Sequence, residues 1–100
     1  MSKVIGTFTL QNEQYVGIIR TLHLNVSVRI VPTKAEEDKA PNYRILVDEY
    51  ELGAGWSRTS EQGNAYLNVR LDDPSLPAPL NARLVAKKDS NEFLLIWSRS

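Results

Sequence analysis

The sequence contains no cysteine, and this absence excludes disulfide bonds, thiolate zinc sites and thiol nucleophiles together. No apolar run reaches the roughly 18 residues that a membrane-spanning helix needs. The first ten residues also lack the basic segment and apolar core of a secretory signal. A reducing compartment permits a cysteine-free chain, and we therefore expect a cytoplasmic protein.

The chain also lacks an excess of positive or of negative charge. Twelve lysine and arginine residues balance twelve aspartate and glutamate residues, so the formal net charge is zero. No global electric field draws such a protein toward phosphate or toward an anionic membrane surface. Any affinity for nucleic acid must therefore come from a local cluster of basic residues, and we expect no membrane partner.

The length and composition predict one domain. The chain has 100 residues, of which 42% are hydrophobic and 24% charged, as in an ordinary globular protein. We therefore expect a single β domain over 1–100. The segment 33–42 (TKAEEDKAPN) is charged and has no apolar period, so it is predicted to be a mobile loop.

Alternation of apolar and polar residues dominates the chain, and no segment has a convincing helical period. The clearest case is 24–30 (LNVSVRI), in which every second residue is apolar, as in a strand with one buried face. Further strands are predicted over 4–10, 15–22, 43–52, 56–58, 65–71, 81–87 and 92–98. About seven short strands with frequent turns predict an all-β fold, either a small antiparallel β-barrel of oligonucleotide-binding or similar type or a small sandwich.

Glycines and prolines mark three irregular places. Gly17 lies in the middle of a predicted strand, where a bulge or a close approach of two backbones is expected. The segment 53–55 (GAG) predicts a bend or bulge before Trp56. The segment 75–80 (SLPAPL) predicts an extended connector whose two leucines lie against the core.

The last predicted strand contains five consecutive apolar residues, 93–97 (FLLIW). Such a strand should be central or covered on both faces. Trp97 is therefore expected in the core, whereas Trp56 fits a core role and a contact role equally well.

Motifs for catalysis are weak. His23 is the only histidine, and a serine–histidine–acid relay would require it beside a hydroxyl such as that of Ser27. We expect a structural or surface role for this histidine. The carboxylates at 36–38, 48–51 and 72–73 lack the spacing of a calcium loop, and adjacent strand residues point to opposite faces. We predict that the protein is not an enzyme and has no catalytic residue, no metal-binding residue and no cofactor.

Six arginines stand at strand positions beside apolar neighbours, where they should decorate the outside of the fold: Arg20, Arg29, Arg44, Arg58, Arg70 and Arg83. In 66–70 the polar residues Tyr66, Asn68 and Arg70 share one face, and Arg58 should lie across the hairpin from them. Arginines and aromatic platforms hold single-stranded nucleic acid, and stacking contributes about 1–3 kcal/mol per base. The predicted contact residues for nucleic acid or a partner are Trp56, Arg58, Tyr66, Asn68 and Arg70.

Two other interpretations compete with this one. The polar face could simply be solvated, with arginines neutralised by cross-strand pairing to Asp48, Glu49 or Asp72. Alternatively, the domain is a protein-interaction module. It would bind a second copy of itself or a partner protein through a sheet edge or the segment SLPAPL. The leading interpretation is a non-enzymatic small β-barrel that contacts single-stranded or distorted nucleic acid.

Several segments together resemble a known family: IGTFT (5–9), a Tyr-x-Gly-x-Ile-x-Thr-Leu run (15–22), KAPNYR (39–44), GAGW (53–56), YLNVRLDDPSLPAPL (66–80) and LIWSR (95–99). In this order they are similar to the bacterial family known as domain of unknown function 736, over almost the whole chain. The resemblance implies a small cytoplasmic bacterial protein, often encoded near conjugation or other mobile-element genes. It brings no catalytic residue, cofactor or ligand, and it favours DNA or a DNA-handling protein as the partner by association alone.

Overall fold

The computed structural model describes residues 2–22, 24–34, 40–74 and 76–98, which fold as eight antiparallel strands. The strands are β1 (Ser2–Gln11), β2 (Gln14–Arg20), β3 (Asn25–Pro32), β4 (Tyr43–Val47), β5 (Tyr50–Thr59), β6 (Ala65–Leu71), β7 (Leu80–Ala86) and β8 (Glu92–Ser98). Each strand pairs with the next, and β1 also pairs with β8, so the sheet closes into a barrel. The predicted all-β antiparallel fold is confirmed, and the barrel is the form adopted.

The core fills the inside of the barrel with the apolar half of each alternating pattern. Its buried members are Ile5, Phe8, Ile19, Val28, Ile30, Ile45, Leu52, Leu67, Val69, Leu71, Ala82, Leu84 and Leu95. Leu76, Leu80 and Trp97 are partly buried and pack against this cluster, as predicted. No polar side chain in the described ranges is fully buried, so hydrophobic burial is the main stabilising force.

The prediction of one strand over 43–52 is wrong. Val47 pairs with Tyr50 across a tight turn, so this segment contains β4 and the beginning of β5. Asp48 in the turn has a φ of 55°, in the left-handed region that aspartate tolerates better than most residues. This turn contains neither glycine nor proline. The residues after it continue through 53–55 into the separately predicted strand 56–58, and together they form β5.

The predicted close approach at Gly17 is confirmed. A Cβ at this position would meet the backbone oxygen of Thr7 and lie 2.8 Å from the Cα of Phe8. The bulges lie elsewhere, in β1 between Val4 and Gly6 and in β5 at the residue before Gly53. The second of these lies one residue before the segment 53–55, in which a bend or bulge is predicted.

The two ends of the barrel differ. The β1–β2, β3–β4, β5–β6 and β7–β8 connections lie at one end, here called the upper end, and the β2–β3, β4–β5 and β6–β7 connections lie at the lower end. At the upper end, the amide of Thr33 donates to the carbonyl of Asn42 over 2.9 Å and closes the base of the predicted loop. Residues 35–39 of that loop lie outside the described residues, as does His23. No helix within the described ranges is long and apolar enough to cross a membrane.

Candidate nucleic-acid interface

The outer face of β6 has the polar character that its alternation predicts. Leu67, Val69 and Leu71 are buried in the core. Tyr66, Asn68 and Arg70 therefore point away from the barrel, because successive side chains of a strand alternate between its faces. The structure thus places three of the predicted contact residues in one outward row.

The register between β5 and β6 adds the other two predicted residues. Arg58 pairs directly with Tyr66, and Trp56 pairs directly with Asn68. Directly paired residues of neighbouring strands lie on the same face of a sheet. All five predicted residues therefore share one continuous surface of the barrel wall.

Arg83 on β7 also belongs to this surface, although it was not part of the predicted site. It pairs with Asn68, and its guanidinium carbon lies 5.1 Å from the centre of the Tyr66 ring, in cation–π contact. Its position between two apolar residues already indicated an outward side chain. The pairing of β7 with β6, which the sequence pattern does not specify, brings it to Tyr66. We call these six residues the β6 outer face: Trp56, Arg58, Tyr66, Asn68, Arg70 and Arg83.

The arginines of the β6 outer face are not neutralised by carboxylates within the described ranges. The ion pairs there are Arg44 with Glu51, at 3.2 Å, and Lys87 with Glu92, at 3.4 Å. Arg58 instead donates from Nη1 to the backbone oxygen of Ser57 over 2.9 Å. The neutralisation expected of a plain solvated face is therefore not observed for the three guanidinium groups of the β6 outer face.

Asp48, one of the acids considered for such pairing, also contacts an arginine without using its carboxylate. Its backbone oxygen accepts a hydrogen bond of 3.0 Å from Nη2 of Arg29, on the other side of the barrel. Within the described ranges, Asp48 therefore forms no ion pair with an arginine of the β6 outer face.

Two shallow depressions flank the β6 outer face. The upper depression, of about 760 Å³, is lined by Tyr66, Arg83 and Lys88 together with small and amide side chains, and no described carboxylate lines it. The lower depression, of about 320 Å³, lies between Trp56 and Arg70 and is also lined by Glu51 and Asp72. The positive character of the surface is therefore concentrated toward the upper end.

Shifted pKa values occur away from the β6 outer face. Near the upper end, Tyr15 packs against the core, and burial and the neighbouring Tyr43 raise its pKa above the ordinary value. At the lower end, a hydrogen bond to Asp73 raises the pKa of Tyr50. Within the described ranges, no group of three or more histidine, cysteine or acidic residues could hold a metal ion.

Closure of the barrel bears on one form of the protein-interaction hypothesis. Because β1 pairs with β8, the described sheet has no edge strand to which an added strand could pair. The described sheet therefore gives no support to the sheet-edge form of the hypothesis. The segment SLPAPL, which connects β6 to β7 at the lower end, remains available to that hypothesis.

Comparison with known proteins agrees with the family resemblance of the sequence. A family model described as "Protein of unknown function (DUF736)" matches residues 4–100. No curated protein and no solved structure matches the chain. Because the matched residues span nearly the whole barrel, the chain belongs to this family of proteins of unknown function.

Proposed function

We propose that the protein is a non-enzymatic binding module that holds single-stranded or distorted nucleic acid on the β6 outer face, in a mobile-element or DNA-handling setting. One observation carries the proposal: three guanidinium groups and two aromatic side chains share a surface on which no described carboxylate pairs with the arginines. Such a surface combines the phosphate-binding and base-stacking groups used by single-strand binding proteins.

Four residues of the β6 outer face, together with the neighbouring Lys88, have a specific role in this proposal. Arg83 and Lys88 bind a phosphate at the upper depression, and Tyr66 offers ring surface to the adjacent base. Asn68 has an amide that donates to and accepts from base edges. Arg70 lies about 13 Å from Tyr66 along the strand, a separation that suits a second phosphate.

A pair of double variants tests the proposal. We expect Arg70→Gln with Arg83→Gln to weaken binding of a fluorescein-labelled single-stranded oligonucleotide by about tenfold, because two phosphate contacts are lost. The matched control is Arg20→Gln with Arg29→Gln, which removes the same charge from β2 and β3 on the other side of the barrel. Fluorescence anisotropy measures both affinities. Equal weakening by the two double variants would show that only net charge matters and would refute the assigned surface.

A second candidate function is association with another copy of the chain. The outer sides of β8, β1 and β2 are unusually apolar: Val4 is 49% exposed and Ile18 is 51% exposed, and Leu94 and Ile96 lie on the same side of the sheet. A second copy that covered this surface would bury both faces of β8, as its FLLIW sequence predicts. The β6 outer face adjoins this surface at Arg83, which pairs directly with Ile96, whereas its residues on β5 and β6 lie away from it and would stay accessible.

A further inference from the structure

An apolar pocket opens at the lower end of the barrel, away from the β6 outer face. Its volume is about 340 Å³, and its apolar lining consists of Ile5, Leu22, Leu76, Pro77, Leu80 and Trp97. The β6–β7 connector contributes Leu76 and Pro77, so the proline-rich segment forms part of the pocket wall. Pockets of this size and composition hold small organic molecules in many proteins.

Lys3 is the one charged residue that lines this pocket within the described ranges. It pairs directly with Trp97 across β1 and β8, which puts the two side chains on the same face of the sheet. Trp97 packs against the core, so Lys3 extends from β1 over the mouth of the barrel. No described carboxylate pairs with its ammonium group.

Leu22 at the rim gives a second indication of an occupant. Its side chain is 93% exposed, the largest exposure among the large hydrophobic residues described. An apolar molecule seated in the pocket would remove part of this surface from water, and each buried methylene group would stabilise the complex. The rim therefore favours a ligand with an apolar body, and Lys3 favours a negative charge at one end of it.

We propose that this pocket binds a small amphipathic carboxylate, of the size of a fatty acid with about eight to ten carbons. The hydrocarbon chain lies against Trp97, Leu76 and Leu80, and the carboxylate meets the ammonium group of Lys3 at the mouth. This site is independent of the nucleic-acid interface, which lies on the outer wall of the barrel.

Intrinsic fluorescence of Trp97 tests the proposal directly. In a Trp56→Phe background, Trp97 is the remaining tryptophan, and titration with decanoate below its micelle concentration should shift its emission saturably. The same ligand should raise the melting temperature, because it binds the folded state. Absence of a saturable shift would overturn the proposal.

Two matched variants separate the charge from the apolar contact. Lys3→Met keeps a long side chain and removes the charge, so decanoate should bind about fivefold more weakly while decanol binding is unchanged. Leu22→Ser should weaken both ligands without affecting the core, because the side chain is exposed. Equal affinity of decanoate for Lys3→Met and its parent would refute the role of Lys3. Thermal melts verify that each variant is folded.

Sedimentation velocity identifies a competing occupant. If decanoate only converted a dimer into monomers, the pocket would be filled by a second copy of the chain, and the proposal would be wrong. A sedimentation coefficient that decanoate does not change supports a small-molecule site within one copy.

Discussion

Gly17 leaves no room for a side chain between β2 and β1. A side chain there would clash with the backbone of β1 at Thr7 and Phe8, which cannot move without breaking the pairing of the two strands. Gly55 is a contrasting case on β5, because a Cβ there would lie 3.5 Å from the Cβ of Tyr43, at an ordinary contact distance. Tyr15 is a third informative residue, since partial burial raises the pKa of its hydroxyl above the ordinary value.

The glycine contrast gives a prediction for stability. We expect Gly17→Ala to lower the free energy of unfolding by about 2–4 kcal/mol, because the added methyl group forces the two backbones apart. Gly55→Ala should change it by less than about 1 kcal/mol. Urea unfolding followed by circular dichroism measures both values. Similar losses for the two variants would show that the close approach at Gly17 has no particular importance.

Tyr15 gives a prediction for alkaline pH. Burial, followed by the effect of Tyr43, raises its pKa in the folded protein above 10.0, so the folded state keeps a proton that the unfolded state loses. This contribution to stability is complete below pH 10 and disappears as the pH rises through the folded-state pKa. Tyr15→Phe should therefore show a smaller decline of the unfolding free energy between pH 9 and pH 11.5. Parallel curves for the two proteins in urea titrations would contradict the assignment.

The strands differ in what they present to solvent. The outer sides of β5, β6 and β7 carry arginines, an asparagine and aromatic rings, whereas the outer sides of β8, β1 and β2 carry mostly aliphatic residues and threonines, with Arg20 at the end of β2. Both surfaces arise from the same alternation, because each strand fills the core with its other face. The barrel can therefore offer a polar contact surface and an apolar one without rearrangement.

The apolar strands give a prediction for assembly. If a second copy covers β8, β1 and β2, the protein should sediment as a dimer at about 50 µM, and Ile18→Lys should make it monomeric by placing a charge in the apolar contact. Asn81→Lys adds the same charge at an exposed position on β7 and should leave the dimer intact. A protein that remains monomeric over all accessible concentrations would exclude this second function.

Most strands could be predicted from the sequence because their alternation is regular, as in 24–30 and 65–71. The turn at Asp48 could not, because it contains no glycine or proline and lies inside a continuous β-type segment. The outward direction of Tyr66, Asn68 and Arg70 followed from the period of the strand. The contribution of Arg83 required the pairing of β6 with β7, and pairing depends on the whole barrel rather than on local sequence.

Across the whole molecule, equal numbers of positive and negative residues are distributed unequally. The strand arginines lie on the barrel wall, whereas most acidic residues within the described ranges lie in turns and connections. A protein of zero formal net charge can therefore have a local positive surface, and its attraction for phosphate acts at short range. Binding that depends on this surface must weaken as the salt concentration rises, because salt ions screen the arginines and compete with their phosphate contacts.

The most direct measurement is a salt titration of single-stranded oligonucleotide binding by fluorescence anisotropy. Two to four phosphate contacts on the β6 outer face predict that affinity falls by about sevenfold to fiftyfold between 50 and 200 mM salt. The Arg70→Gln, Arg83→Gln variant should show a shallower dependence, because it makes fewer of these contacts. A flat salt response, or no detectable binding at 50 mM salt, would contradict the proposal that this barrel binds nucleic acid.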